Sequence, residues 1–255
     1  MVHPTAIVHP AAEIGKNTEV GPYCIVGEHV SIGARTILQA NVVVNGWTQI
    51  GEDCHFFPFV TVGAASQDRK YAGERAITRV GNRTTLREYV SIQRATGADE
   101  VTAVGDDCLL LAYVHIAHNC IVGNGVTMSN LAQLAGHVTV EDHVTIGGQT
   151  GIHQFTRVGK HAMVGGMSKL TKDVPPYFLV EGNPCQPYGL NSVGLRRAGF
   201  SVEDRHEIKR FYKLLYDPKL NVSQAIARMK EEAGTKPGRD IIAFLEAPSQ
   251  RGILK

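Results

Sequence analysis

Apolar residues recur along this chain at every sixth position. Val2, Val8, Ile14, Val20, Val26, Ile32, Leu38, Val44, Ile50, Phe56 and Val62 form one unbroken series. The fifth position of each hexad is small or β-branched, as at Thr18, Cys24, Val30, Thr36, Val42, Thr48, Cys54 and Val60. Glycine commonly follows the apolar residue, as at Gly15, Gly21, Gly27, Gly33, Gly51 and Gly63. A period of six fits neither a helix of about 3.6 residues per turn nor two-residue alternation. It fits a short extended run, a turn and another run, three of which close into a triangular coil. The large first residue and the small fifth one then point inward and stack into apolar columns, so that stability comes from coil on coil. Glycine is expected to relieve the corners, where positive φ is needed. The expected fold is mainly β, a parallel β-helix.

The pattern breaks twice. Ala64 to Thr78, AASQDRKYAGERAIT, is polar and lacks the inward pair, and the series resumes at Val80, Leu86 and Ile92. A shorter break, Gly97 to Thr102, precedes its return at Val104 and its run to Leu170. Loop excursions are expected at about 64–79 and 97–102. Excursions from a rigid scaffold often carry function, and the first gathers Gln67, Asp68, Arg69 and Lys70. The prolines of DVPPYFLVEGNPCQPYG, Asp173 to Gly189, end the repeat. Beyond them the spacing is helical. Ser201 with Asp204 resembles a capping box, and Ile208, Phe211, Leu214 and Leu215 share a face. Ser223 opens a second helix that Gly234 closes, and Arg239 to Glu246 offer a third. The expected division is a β-helix over residues 1–189 and a C-terminal α-helical domain over 190–255.

Composition removes several function classes. Lys+Arg 26 against Asp+Glu 24 leaves a net charge of +2, without the clustered basic excess of a nucleic-acid binder. No apolar run approaches the roughly 20 residues needed to cross a bilayer, so no transmembrane segment is expected. MVHPTAIVHPAAEIG at the amino terminus lacks a basic segment followed by an apolar core, and no export signal is expected either. The 5 cysteines form no CxxC pair, which leaves a zinc or redox reading without support. Four of them stand at the inward fifth position, where cysteine acts as a small buried hydrophobe. An odd count fits a reducing cytoplasm.

Candidate chemistry concentrates between Leu110 and Val140. Apolar residues hold the six-residue beat there, and His115, His118 and His137 fall at positions expected to face outward. An imidazole, with an unperturbed pKa of about 6.5, suits a general base at neutral pH. Spacing alone also allows these rings to support packing. A metal triad is the competing use of clustered histidines, but no carboxylate ligand stands at suitable spacing, and no metal site is expected.

More specific strings follow one another in order: QDRKYAGE, HIAHNCIVGN, LAGHV, GIHQFTRVG, DVPPYFLVEGNP and GLNSVGLRRAGF. Hexads alone resemble the hexapeptide-repeat acyltransferases, whose β-helices are left-handed, although the general crossover rule favours the right-handed form. The ordered strings, the large loop and the helical tail resemble the family of UDP-N-acetylglucosamine O-acyltransferases that begins lipid A biosynthesis. That resemblance covers nearly the whole chain. It implies transfer of a (3-hydroxy)fatty acyl group from acyl carrier protein to the 3-hydroxyl of UDP-N-acetylglucosamine. The acyl donor is a thioester, and no cofactor is implied. By the same resemblance His118 is the general base and the N–H of Gly136 the oxyanion donor. Asp68 and Lys70 bind the glucosamine portion, and His115 and His137 lie near the reacting groups. His153 and Gln154 contact the sugar or pyrophosphate. Asn191 and Arg197 hold the nucleotide diphosphate and the surroundings of the acyl chain. Met163 and Gly166 stand where the family measures acyl-chain length, and glycine at 166 implies a longer chain than a bulky residue would admit. Asn119, Gln93, Val193 and Ala198 depart from aspartate, histidine, glutamate and arginine found in relatives. A cytoplasmic homotrimer with sites between neighbouring prisms is implied. The alternatives are the related N-acyltransferase, which normally carries an extra amino-terminal domain, an enzyme of this fold that acylates a 3-amino sugar nucleotide, and a non-catalytic β-helix that only binds partners.

Overall fold

The computed structural model describes residues 1–255. Each hexad forms one flat side, a short strand followed by a corner. The strands Ile7–Val8, Glu13–Ile14 and Glu19–Val20 belong to three different sheets, and Ile25–Val26 returns to the first. Ile7 pairs in parallel with Ile25 and Val8 with Val26, so one coil takes eighteen residues. Repetition builds a first face of 9 strands and a second of 8, and the third reaches 10 with a last strand from beyond the repeat. The chain is a left-handed parallel β-helix with helices at its C-terminal end. The right-handed preference of ordinary crossovers derives from strand twist. Most strands here are two residues long, too short for twist to decide the hand.

The first and fifth hexad positions supply one continuous core, from Val20 to Val180. The fifth position is a single chemical slot. The Cys24, Cys54, Cys108 and Cys120 thiols donate to the carbonyls of Gln39, Gly81, Gly123 and Ala135 in the next coil. The hydroxyls of Thr18, Thr36, Thr84 and Thr150 do the same toward Gly33, Gly51, Gly105 and Gly165. Cysteine and threonine therefore interchange because each fills a small site and satisfies a buried carbonyl. Burial pushes the Cys108 thiol up to about 11 and Cys120 up to about 12, which leaves them unreactive.

The corners differ from the expectation. Positive φ falls mainly at the fourth hexad position, on Tyr23, Arg35, Asn41, Asp53, Phe59 and their successors; of the glycines that follow the apolar residue, Gly63 has it (φ 75°) while Gly15, Gly21, Gly27, Gly33 and Gly51 do not. The N–H of each such residue donates to the coil before it, as Arg35 does to Lys16, Asp53 to Ala34 and Tyr113 to Glu88. That bond, repeated with side-chain stacking, offsets the roughly 1–2 kcal/mol cost of the left-handed conformation. The glycines serve close approach instead. A Cβ on Gly33 would stand 2.5 Å from the carbonyl carbon of Gly51, and one on Gly147 2.4 Å from the amide nitrogen of Gly166.

Two coils are longer than the rest. His55 pairs with Thr85, thirty residues on, and Ile77 with Val101, twenty-four on. Twelve extra residues lie between Thr61–Ala64 and Ile77–Val80, and six between Ser91–Gln93 and Val101–Val104. The excursions are thus 65–76 and 94–100, narrower than the expected 64–79 and 97–102 at the first and earlier at the second. Thr78 and Thr102 look like loop residues but are fully buried fifth-position side chains.

Past the repeat, Gln186–Leu190 adds an antiparallel strand to the third face. The helices α1 (Ser192–Arg197), α2 (Val202–Leu215), α3 (Val222–Glu232) and α4 (Lys236–Glu246) follow. Ser201 and Asp204 cap α2 reciprocally. The cap of α3 is Asn221 with Gln224, two residues before Ser223. Thr235 caps α4, with Pro237 in its first turn, so that helix begins before Arg239. Ile208, Phe211, Leu215, Ala225, Met229 and Ile241 pack with Tyr177 and Phe178 in a second apolar cluster. The buried Asp173 carboxylate accepts from the amide and Nε of Arg157, at 2.8 and 2.7 Å. The Arg157 guanidinium also lies over the Phe244 ring of α4. The chain end returns to the prism, where Leu254 joins the apolar core.

Candidate active site

His118 stands at the corner between the first and second faces, third in its hexad. Gly136 holds the same place one coil later. The two touch: a Cβ on Gly136 would lie 2.4 Å from Cε1 and 2.5 Å from Nε2 of His118. Only glycine leaves room for the ring. The Gly136 N–H makes no backbone hydrogen bond and remains free to donate. Asn119 and His137 occupy the fourth position on these two coils, both at positive φ. The His137 ring meets His118 edge to face, with centroids 5.2 Å apart, and stacks on Phe155 from the coil beyond.

His118 Nδ1 lies 2.9 Å from Asn119 Oδ1. Its Nε2 looks into a cavity of about 490 Å³, where Asp68 Oδ2 lies 4.0 Å away. The first excursion carries Gln67 and Asp68 over this opening. Its base is held down by Gln93, buried, whose Oε1 accepts from the Gln67 amide at 3.3 Å. Arg94 ties it further, donating to the Gly63 carbonyl and to the Tyr71 hydroxyl. Along the first face the floor is Ala117, Ala135, Gly151, Ile152 and Leu170, with His115, Gln133, His153, Lys169 and Thr171 among them. His115 Nδ1 is 2.7 Å from Ser91 Oγ. Burial, with a smaller contribution from His118, lowers the pKa of both His115 and His137. Both are neutral rings at pH 7. No three His, Cys, Asp or Glu side chains converge as a metal-binding group. The arrangement offers one imidazole nitrogen and one free amide N–H, side by side at the head of an apolar groove.

Residues 173–254 match the family profile described as UDP N-acetylglucosamine O-acyltransferase, domain 2. Residues 11–46 match the bacterial transferase hexapeptide profile. A curated Synechocystis protein named acyl-[acyl-carrier-protein]–UDP-N-acetylglucosamine O-acyltransferase is 47% identical over 248 residues, covering 97% of this chain and 90% of its own length. The Verminephrobacter eiseniae protein of the same name is 46% identical over 219 residues, 84% of this chain and 83% of that one. The solved structure of LpxA from Acinetobacter baumannii is 41% identical with a TM-score of 0.96, covering 100% of this chain and 99% of that one. The chain belongs to the UDP-N-acetylglucosamine O-acyltransferase family.

For a member of this acyltransferase family, the expected site residues fall into three groups. Asp68, His115, His118 and His153 line one cavity, and Gly136 and His137 pack against His118. Lys70 and Gln154 stand at its margin: the Lys70 amide donates to Asp68 Oδ1, and Gln154 follows Gly136 by one coil. The remainder lie elsewhere on this prism. Met163 is on the third face, opposite the His118 corner, and Gly166 turns the corner from the third face to the first. Asn191 caps α1 and donates to the His161 carbonyl, at the corner between the second and third faces. Arg197 ends α1. Sequence reasoning missed Ser91, Gln133, Lys169 and Thr96. Gln133 and Lys169 share the outward column of His115 at whole-coil spacing, and that was the signal available; Ser91 shares the column too, but twenty-four residues away across the second excursion.

Proposed function

We propose that the chain transfers a (3-hydroxy)fatty acyl group from the thioester of acyl carrier protein to the 3-hydroxyl of UDP-N-acetylglucosamine, the first step of lipid A biosynthesis, with His118 as general base. The observation that carries the reading is the pairing of an unblocked His118 Nε2 with the free N–H of Gly136 at the mouth of an apolar groove. A sugar hydroxyl is a poor nucleophile at neutral pH, and Nε2 removes its proton as the oxygen attacks the thioester carbon. The new C–O bond forms and the carbonyl oxygen takes up negative charge beside the Gly136 N–H. Collapse breaks the C–S bond, and the imidazolium returns the proton to the departing thiolate. The thioester is already activated, so no metal or cofactor enters. Asp68, with Lys70 beside it, holds the glucosamine, and His115, His137, His153 and Gln154 surround the sugar and pyrophosphate.

One prism does not complete this site. Met163, Gly166 and Asn191 lie on faces and corners other than that of His118 in their own chain, and Arg197 ends the helix that Asn191 caps. Their roles in binding the nucleotide diphosphate and measuring acyl length require a neighbouring copy, which supports the homotrimer with sites between prisms. Acyl carrier protein and nucleotide sugars are cytoplasmic carriers, and the enzyme works there. No helix is long and apolar enough to cross a membrane.

The test is His118→Ala, assayed with acyl carrier protein thioesters and UDP-N-acetylglucosamine, the product being read by mass spectrometry. Turnover should fall by about 10²–10⁴-fold with the circular dichroism spectrum retained. Undiminished turnover removes His118 from the chemistry, and an absent ester product from the unmodified protein removes the activity itself.

A further inference from the structure

We propose that the peptide of Thr96, in the second excursion, acts through Asn119 to fix the proton of the neutral His118 ring on Nδ1. The inference rests on the reading of His118 as the base and adds two positioning residues to it. The Asn119 side chain makes three contacts. Its Oδ1 accepts from the Thr96 amide at 3.0 Å, its Nδ2 donates to the Thr96 carbonyl at 3.1 Å, and Oδ1 also faces His118 Nδ1 at 2.9 Å.

The first two contacts decide the third. An amide side chain reversed at this site would set N–H against N–H and oxygen against oxygen, so the backbone N–H and C=O of Thr96 admit one orientation. With Oδ1 thus fixed toward His118, Nδ1 has only an acceptor before it and must carry the hydrogen. Nε2 is then the unprotonated nitrogen, the form a base needs. The competing tautomer would place its hydrogen toward Asp68, but that carboxylate is 4.0 Å away, beyond a hydrogen bond. The Thr96 peptide is itself held. Thr96 Oγ1 meets Ser66 Oγ at 2.8 Å, and the next amide, Gly97, donates to Glu74 at 2.7 Å. The two excursions brace one another, and their joint product is the direction of one side-chain amide.

This also accounts for asparagine where relatives can carry aspartate. A carboxylate would accept from both Thr96 and His118, yet it would lose the donation to the Thr96 carbonyl. Orientation by a neutral amide costs the base none of its neutral form, because no negative charge stands against Nδ1 to stabilise the imidazolium.

The experiment is ¹⁵N NMR of the full-length protein labelled at histidine, at a pH where His118 is neutral, with His118→Ala to assign its signals. The expected spectrum has a protonated Nδ1 and an unprotonated Nε2. Asn119→Leu should shift the ring toward the other tautomer and lower kcat by roughly ten- to a hundredfold, with KM for the nucleotide sugar little changed. Asn119→Asp should restore the Nδ1–H form and much of the turnover, and Thr96→Pro, which lacks the amide hydrogen, should resemble Asn119→Leu. A proton on Nε2 in the unmodified protein overturns the proposal. So does an unchanged tautomer in folded Asn119→Leu, which stands as the deciding variant if Thr96→Pro does not fold. The spectrum is read without turnover, so its outcome is separate from whether His118→Ala abolishes catalysis.

Discussion

Gly136 lacks a side chain in a place already filled by the ring of His118. With Cε1 2.4 Å from where its Cβ would sit, Gly136→Ala must push the imidazole aside or tilt the amide beside it. Displacement of a reacting group by about 1 Å costs on the order of 10²-fold in rate. Gly136→Ala should therefore lose about that much turnover, measured against acyl carrier protein thioesters, with its melting temperature nearly unchanged. Wild-type turnover would show that the ring has another seat. The pairing is legible in the sequence once the coil length is known, because His118 and Gly136 are separated by one coil. The Asn119–Thr96 contact is not. It joins residues twenty-three apart through a backbone amide and carbonyl, groups that every residue but proline has, across an insertion that breaks the period.

Among the elements, strands were easier to read than corners. A hexad carries its register in the identity of its first and fifth residues, so the faces follow from Val20, Val26 and Ile32 alone. Corner conformation has no such marker. Tyr, Arg, Asn, Asp, Phe and His all adopt positive φ here, because inter-coil hydrogen bonds enforce it. Thr78 and Thr102 were obscured for the opposite reason, being polar in name and buried in fact. One corner also fastens the helices. The His161 ring stacks on His143 and Tyr177 and meets Phe200 edge-on. Burial there, ahead of the charges of His143 and Lys160, holds its pKa down to about 4. Free imidazole titrates near about 6.5, so the unfolded chain takes up the proton first as pH falls. His161 thus favours the folded state fully above about pH 6.5, and that contribution is lost as pH falls toward 4. Urea midpoints should drop between pH 7 and pH 4.5, and drop less in His161→Phe. Equal drops in the two proteins would exclude this corner as the cause.

For the molecule as a whole, the joint between prism and helices matters most. Arg157 bonds the fully buried Asp173 and covers Phe244 of α4. Asp173→Ala would leave a guanidinium facing a vacated, poorly solvated site, a loss of about 3 kcal/mol. The melting temperature should fall by several degrees, and Asp173→Asn, which can still accept the Arg157 amide, should fall less. Comparable losses in both would assign the effect to shape alone. At this scale the sequence also concealed something. Residues expected in one site, such as His118 and Asn191, fall at different corners of the prism, which a linear string of motifs does not reveal.

Eighteen residues also form a unit of length for this rod. Adding or removing one whole coil of the N-terminal repeat would change its height by about 4.8 Å and rotate nothing, because every later side chain would keep its compass bearing. A gain or loss of five residues would turn all that follows. Growth in the N-terminal part of the chain is thus free in steps of one coil. Between His118 and Gly136 even that step is closed, since the imidazole and the amide N–H must share a single storey.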